Sequence, residues 1–324
     1  MILAVIEHDR GSIAAAAYEG LTAAARLADE RDDTVEALTI GASADAAVGE
    51  VAMYGVAVVH QAHHDLLGDY GPEAWGEVVA QAAARLRPTA VVATGTDRGN
   101  EILAQAAARL DVPMIANCIE FALGEAFDVT RVRWGGSLLE HARVDASPVL
   151  FTVAHHAIDA RPAESAGAAE PRPFHPELDP SLARTVVADR VERVAGITLS
   201  TAPVVVGGGR GVGSADGFAS LQELAELLGG VVGCSRAVTN NGWRNHTDQV
   251  GQTGTRIAPD IYFACGISGA IQHWVGAMAS KNIVAINTDP NANMVTKAGY
   301  AVISDLHEVV PAISAEIRRR RETS

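Results

Sequence analysis

The sequence predicts an α/β fold in two domains: an N-terminal α/β domain and a C-terminal domain built on a doubly wound parallel sheet. Short apolar runs alternate with Ala-rich amphipathic segments from the first residues onward, the pattern of strands and helices taking turns. From about 159 to 180 the chain is rich in Pro, Ala and charge, with no periodicity that could bury a face. Beyond it, VVVGGGRGVGSADGFASLQELAELLG (204–229) reads as strand, glycine-rich loop and amphipathic helix, the opening of a second sheet. The boundaries expected are 1–200 for the first domain, with its linker from about 159, and 201–324 for the second.

The elements follow in order. Residues 2–6 are a continuous apolar run, as a strand buried on both faces requires; 12–28 read as a helix, 34–40 as a strand and 44–53 as a helix. A strand at 56–60 and a helix at 73–86 come next, then a strand at 90–94, a polar turn at 95–100 and a helix at 101–110. After Pro113 the rhythm shortens to strands at 116–122, 129–134, 138–144 and 149–154, so the parallel sheet is extended or covered by antiparallel strands. One more strand is expected at 184–191. In the second domain, strands at 231–233, 261–265, 283–286 and 300–303 and helices at 269–279 and 306–320 complete the sheet, whose ligands would lie beyond the carboxyl ends of its strands.

The 324 residues carry 39 acidic and 25 basic side chains, a formal charge of −14, and 48% apolar content. A charge of that sign repels phosphate backbones, which argues against a nucleic-acid partner while leaving room for a local pocket that takes one small anion. No stretch approaches the roughly 20 apolar residues of a membrane-spanning helix. MILAVIEHDRG has no basic segment ahead of its apolar run and reads as a first strand, not a signal peptide. Cys118, Cys234 and Cys265 have no zinc or CxxC spacing and read as reduced core residues of a cytoplasmic protein. The neighbouring histidines His63-His64 and His155-His156 are expected to diverge on a strand or helix, with no carboxylate at ligand spacing to suggest a metal. No nucleophile elbow is present. The arginine run 318–321 reads as the solvated end of the last helix, where cations suit the dipole.

Candidate site residues cluster after 204. The loop Gly207 to Gly213 fits either a phosphate cradle or a tight turn, and Arg210 within it either a charge beside phosphate or a solvated arginine. Ser235 and Arg236 follow a short strand and could donate to a phosphate or pair with a surface carboxylate. Gln249, Gln252 and Thr253 supply the donors and acceptors that read a planar heterocycle, or simply a polar surface loop. In GISGAIQH (266–273), Ser268 can cap the following helix, and His273 is either a packed helix residue or a site group. Asn287 and Asp305 end strands, positions that serve sites or turns.

Taken together, VVVGGGRGV, CSRAV, DQVGQTGT, APDIYFACGISGAIQHWVGA and IVAINTDPNA, in that order, closely resemble the C-terminal domain of the electron transfer flavoprotein α subunit. The likeness runs from about 204 to 311; MILAVIEHD and WGGSLLEHARV in the first half are weaker echoes. The resemblance implies an FAD-binding subunit of a heterodimer, whose β subunit contributes a buried interface and, in many members, AMP. It implies Arg210 near the flavin and Ser235 and Arg236 on the cofactor. The loop Gln249, Val250, Gly251, Gln252 and Thr253 would meet the isoalloxazine, with the Thr253 hydroxyl toward N5. Gly266, Ser268, Gly269, Ala270, Ile271, Gln272 and His273 would meet pyrophosphate and ring, with His273 near the O2 edge. Asn287, Asp305 and Leu306 would lie toward the ribityl–adenosine part. Arg236 and His273 would steady negative charge on a reduced flavin, allowing electrons to pass singly. The function implied is an electron carrier without a substrate of its own, taking electrons from acyl-CoA and related dehydrogenases in fatty acid oxidation and delivering them to a membrane quinone oxidoreductase. Bifurcating relatives share this domain. From another class, a doubly wound sheet with glycine loops also fits an NAD-dependent enzyme such as a deacylase or transhydrogenase domain, or an adenine-nucleotide-binding regulator.

Overall fold

A computed structural model describes residues 1–164, 167–189 and 197–322. They fall into two units, Met1–Trp134 with Leu138–Glu192, and Gly135–Ser137 with Arg193–Ser324.

The first unit begins with β1 (Ile2–Val5), wholly buried. The expected helix from residue 12 is displaced by a two-residue hairpin, β2 (His8–Asp9) against β3 (Ser12–Ile13), and α1 spans Ala17–Asp29. Arg10 and Gly11, both at positive φ, make the tight turn. At Gly11 a Cβ would stand 2.2 Å from the Ser43 carbonyl oxygen, so no other residue fits. β4 (Val35–Ile40), α2 (Val48–Ala52, after a 3₁₀ turn), β5 (Val56–Ala62), α3 (Pro72–Leu86) and β6 (Ala90–Thr94) follow. α4 is longer than expected, Asp97–Leu110, because the Thr96 hydroxyl accepts from the Gly99 amide at 2.9 Å and starts the helix inside the polar stretch. Gly99 is required there because a Cβ would meet the Thr94 carbonyl at 2.0 Å.

β7 (Met114–Leu123), β8 (Phe127–Arg133), β9 (Leu138–Val144), β10 (Val149–Val153) and β11 (Glu170–Phe174) complete a nine-stranded sheet of order β11-β5-β4-β1-β6-β10-β7-β8-β9. The antiparallel strands extend the sheet at one edge: β7 runs parallel to β10 and antiparallel to β8. At the other edge stands β11, inside the stretch expected to be structureless. Pro171 and Pro173 occupy alternate positions of an edge strand, where prolines facing outward leave the ladder to β5 intact. Of the strand expected at 184–191, residues 184–189 form none and the remainder lies outside the described residues. Two apolar layers cover the sheet, one centred on Leu21, Leu27 and Phe151 and one on Trp75, Val78 and Leu103.

The second unit is a five-stranded, all-parallel sheet of order β13-β12-β14-β15-β16. Its strands are β12 (Val204–Gly208), β13 (Val231–Cys234), β14 (Ile261–Cys265), β15 (Asn282–Asn287) and β16 (Tyr300–Ile303). Its helices are α5 (Phe218–Leu227), α6 (Arg236–Asn240), α7 (Ile271–Ala277), α8 (Asn293–Lys297) and α9 (Leu306–Glu322). Both faces carry a core, with Phe218, Leu221 and Val310 on one and Val250, Tyr262 and Met294 on the other, as a doubly wound sheet demands. The chain turns from β12 to β13 on one side and later to β14 on the other, so the strand order reverses between β12 and β14. The three cysteines are reduced and buried.

Candidate functional site

At that reversal a cavity of about 530 Å³ opens beyond the strands' carboxyl ends, within the usual size of a ligand pocket. All five strands contribute: Arg210 after β12, Ser235 and Arg236 after β13, Gly266 to His273 after β14, Asn287 to Asp289 after β15, and Ser304 to Leu306 after β16. Of the residues singled out in the sequence, Arg210, Ser235, Arg236, Gly266, Ser268, Gly269, Ala270, Gln272, His273, Asn287, Asp305 and Leu306 line it. Gln249 and Thr253 border a shallower depression of about 470 Å³ that shares Arg236 and Asn240 with the first. Val250, Gly251, Gln252 and Ile271 line neither, and Ile271 is 46% exposed.

The glycine loop serves close packing, not phosphate. The Gly209 amide donates to the Cys265 carbonyl at 2.9 Å and the Gly211 amide to the Gly266 carbonyl at 3.2 Å. A Cβ on Gly209 would stand 2.1 Å from that Gly266 oxygen. Those amides are therefore engaged, and the loop gives the cavity only Gly211 and the charged Arg210. Gly266 and Gly269 hold φ of 63° and 77°. Ser268 does not cap α7: Ala270 precedes the helix and no side chain bonds its first turn. The amides of Gly269, Ala270, Ile271 and Gln272 meet no acceptor among the described residues.

Gln249 is engaged within the chain. It is 2% exposed; its Oε1 accepts from Thr239 Oγ1 at 2.8 Å and its Nε2 donates to Thr253 Oγ1 at 2.9 Å. It orients the Thr253 hydroxyl, which is exposed. Val250 is core, and Gly251 lets its loop touch α7: a Cβ on Gly276 would sit 2.3 Å from Gly251 Cα. The Gln252 amide donates to the Gln272 carbonyl at 2.7 Å. Asn287 braces the cavity wall, donating to the Ile267 carbonyl at 3.1 Å, and Asp305 Oδ1 accepts from the His307 amide at 2.9 Å at the start of α9. Among the described residues, Arg210 and Arg236 pair with no carboxylate, and the Ser235 hydroxyl donates to none of their groups.

His273 is the most constrained group. It is 6% exposed, its Nε2 lies 2.8 Å from the fully buried Tyr262 hydroxyl, and its Nδ1 is buried without a hydrogen-bond partner. Burial holds the imidazole well below its usual pKa, at about 4, and the nearby Val250 carbonyl opposes that only in part. The ring is neutral near pH 7, so it brings no fixed charge to the cavity. Burial also keeps the Tyr262 phenol protonated. If Tyr262 donates to Nε2, one polar atom, Nδ1–H, stays unsatisfied; the other tautomer strands both the phenol hydrogen and Nδ1. Satisfaction therefore favours a His273 that carries its proton on Nδ1, with the Val250 carbonyl as an imperfectly placed acceptor. Tyr262 had no distinguishing signal in the sequence, where it is one residue of a buried strand.

Asn240, Thr288, Asp289 and Ser304 also line the cavity and were not among the residues first singled out. Asp289 and Ser304 share strand-end segments with Asn287 and Asp305, which was the signal available for them.

Residues 198–278 match the electron transfer flavoprotein FAD-binding domain, and residues 2–177 match the electron transfer flavoprotein domain. The chain is 35% identical over 324 residues to the electron transfer flavoprotein subunit alpha of Mycobacterium leprae, covering 98% of each. It is 32% identical over 317 residues to that of Thermoanaerobacterium thermosaccharolyticum, covering 97% of this chain and 96% of the relative. It belongs to the electron transfer flavoprotein α-subunit family. Membership extends to relatives with another name, such as Protein FixB of Bradyrhizobium diazoefficiens, 32% identical over 324 residues, 97% of this chain and 88% of the relative. The family's FAD-binding match contains the Arg210, Ser235–Arg236 and Gly266–His273 segments of the cavity; Asn287 and Asp305 lie past its end. No helix of the described residues is long and apolar enough to cross a membrane.

Proposed function

We propose that this chain binds FAD in the five-strand cavity as the α subunit of a heterodimeric electron transfer flavoprotein. The flavin domain begins near residue 201. The observation that carries the reading is that Arg210, Arg236 and the unengaged amides of Gly269, Ala270 and Gln272 line one cavity at the carboxyl ends of the strands. A dinucleotide with a pyrophosphate and a ring rich in acceptors suits that donor set. FAD, when bound, takes up electrons and releases them singly.

The chain's own residues do the rest. Arg210 and Arg236 bring positive charge to an otherwise acidic protein, the amides of 269–272 are available to oxygens of the pyrophosphate, and the neutral His273 ring adds no charge to the cavity wall. Thr253, turned by Gln249, presents its hydroxyl beside Arg236. The partner would be a β subunit, which in this reading holds AMP, with electrons arriving from acyl-CoA and related dehydrogenases and leaving to a membrane quinone oxidoreductase.

The test is to purify the chain with its β partner and release the cofactor by denaturation. One FAD per heterodimer is expected; NAD in its place, or no FAD after supplementation, defeats the proposal. Arg236→Ala is expected to weaken FAD binding roughly 10-fold or more, the loss that follows when a charged hydrogen bond is removed. It should also lower the flavin's first reduction potential, read by reductive titration.

A further inference from the structure

We propose that His246 is a positioning residue of the cofactor site: a hydrogen on its Nδ1 turns the Gln249 carboxamide so that the Thr253 hydroxyl donates toward a bound ligand. This rests on the reading of the cavity as an FAD site. His246 opens a short 3₁₀ turn, His246–Asp248. With Thr239, Gln249 and Thr253 it borders the depression that shares Arg236 and Asn240 with the main cavity.

Among the described residues, three side chains meet the buried Gln249 carboxamide. His246 Nδ1 lies 3.2 Å from Oε1, Thr239 Oγ1 donates to the same oxygen at 2.8 Å, and Nε2 donates to Thr253 Oγ1 at 2.9 Å. A carbonyl oxygen only accepts, so Nδ1 carries a hydrogen in this arrangement. Thr253 Oγ1 accepts from Gln249, which leaves its own hydrogen for a group in the depression.

Turning the carboxamide by half a rotation exchanges its oxygen and nitrogen and reverses these bonds. Nε2 then needs an acceptor at His246 Nδ1, and Thr253 donates to Oε1, presenting only lone pairs to a ligand. Thr239 suits both orientations, because its hydroxyl can donate instead to the Arg236 carbonyl at 3.0 Å. The choice therefore falls to His246. A protonated imidazole donates from both nitrogens and admits only the first orientation, whereas a neutral ring with its hydrogen on Nε2 admits only the second. Gln249 is 2% exposed, so water does not repair a mismatch. The charged groups on this side are Arg236 of α6, which borders the same depression, and Arg244 and Asp248, paired with each other at 2.9 Å in the loop that carries His246. An oxidised flavin presents acceptors along its ring edge, so a donating Thr253 favours binding.

The experiment measures the FAD dissociation constant of the complex with the β partner from about pH 5 to pH 8, the range in which histidines change charge. Wild-type affinity should fall roughly 5-fold as pH rises, the effect of one ordinary hydrogen bond. His246→Ala, at an exposed position, should flatten the profile. Thr253→Val, which keeps the imidazole and removes the hydroxyl, should flatten it equally, and the double variant should match Thr253→Val alone. A fall that survives in Thr253→Val would mean that His246 acts through its charge, and overturns the proposal, as does a fall that survives in His246→Ala. If the complex holds FAD with a flat wild-type profile, only the role of His246 falls; if it holds no FAD at any pH, the cofactor reading falls with it.

Discussion

A histidine with its proton on one nitrogen is a different chemical group from the same residue with the proton on the other, and Tyr262 decides which one His273 is. Tyr262→Phe removes the group facing Nε2 and frees the tautomer. We expect FAD affinity to fall roughly 5-fold, worth about 1 kcal/mol for one hydrogen bond, with the fold retained in circular dichroism. A Tyr262→Phe protein that binds FAD as the wild type does would remove the tyrosine from this role. The depressed pKa of His273 has a second consequence. Between its ordinary value near 6.5 and its folded value of about 4, the unfolded chain binds a proton that the folded chain does not. This part of the stability is intact above about pH 6.5, declines as pH falls, and is lost below about 4, by up to about 3 kcal/mol. Urea unfolding of the FAD-free chain across that range should show the decline, and His273→Gln should flatten it.

At the scale of elements, the cavity exists because two strand-end loops touch. The turn after β12 reaches the loop after β14 only where glycines leave room, with the Gly209 amide bonded to Cys265 and Gly211 against Gly266. Gly209→Ala places a methyl 2.1 Å from the Gly266 carbonyl oxygen, and Gly269→Ala places one 2.3 Å from the Met294 amide at a φ of 77°. Each should destabilise the chain by roughly 1–3 kcal/mol or more, through overpacking and, at Gly269, strain. Denaturant midpoints measure this, and a shift below a few tenths of a kcal/mol would mean the loops separate easily. The exposed arginines at the end of α9 are ion-paired, Arg318 with Glu223 and Arg320 with Glu316; such pairs are worth little, and their removal should barely move stability.

At the scale of the whole molecule, a formal charge of −14 coexists with a cavity holding Arg210 and Arg236 away from any carboxylate partner among the described residues. An anionic cofactor bound there stabilises the folded state by mass action. FAD at about 100 times its dissociation constant should add about 2.7 kcal/mol and raise the melting temperature, whereas stripping it should lower the transition by the same amount. Scanning calorimetry with and without added FAD measures this directly. No shift would mean that the chain holds FAD equally in both states or in neither.

The sequence by itself determined the alternation of strands and helices, because each buried strand needs an unbroken apolar run and each helix one apolar stripe. It determined the all-parallel second sheet and the carboxyl-end segments that line its cavity, since those signals are local. Tertiary structure alone decided the rest, because it depends on contacts between distant residues. A proline-bearing stretch becomes the edge strand β11 only because β5 offers it an open ladder. The glycine loop is a packing surface, not a phosphate cradle, because the Cys265 and Gly266 carbonyls meet its amides. Gln249 and Tyr262 look like any polar loop residue and any strand residue until the fold sets them against Thr253 and His273. His155 and His156 do not diverge but stack beside Glu19 through a single left-handed residue, a backbone choice that no pattern of side chains announces.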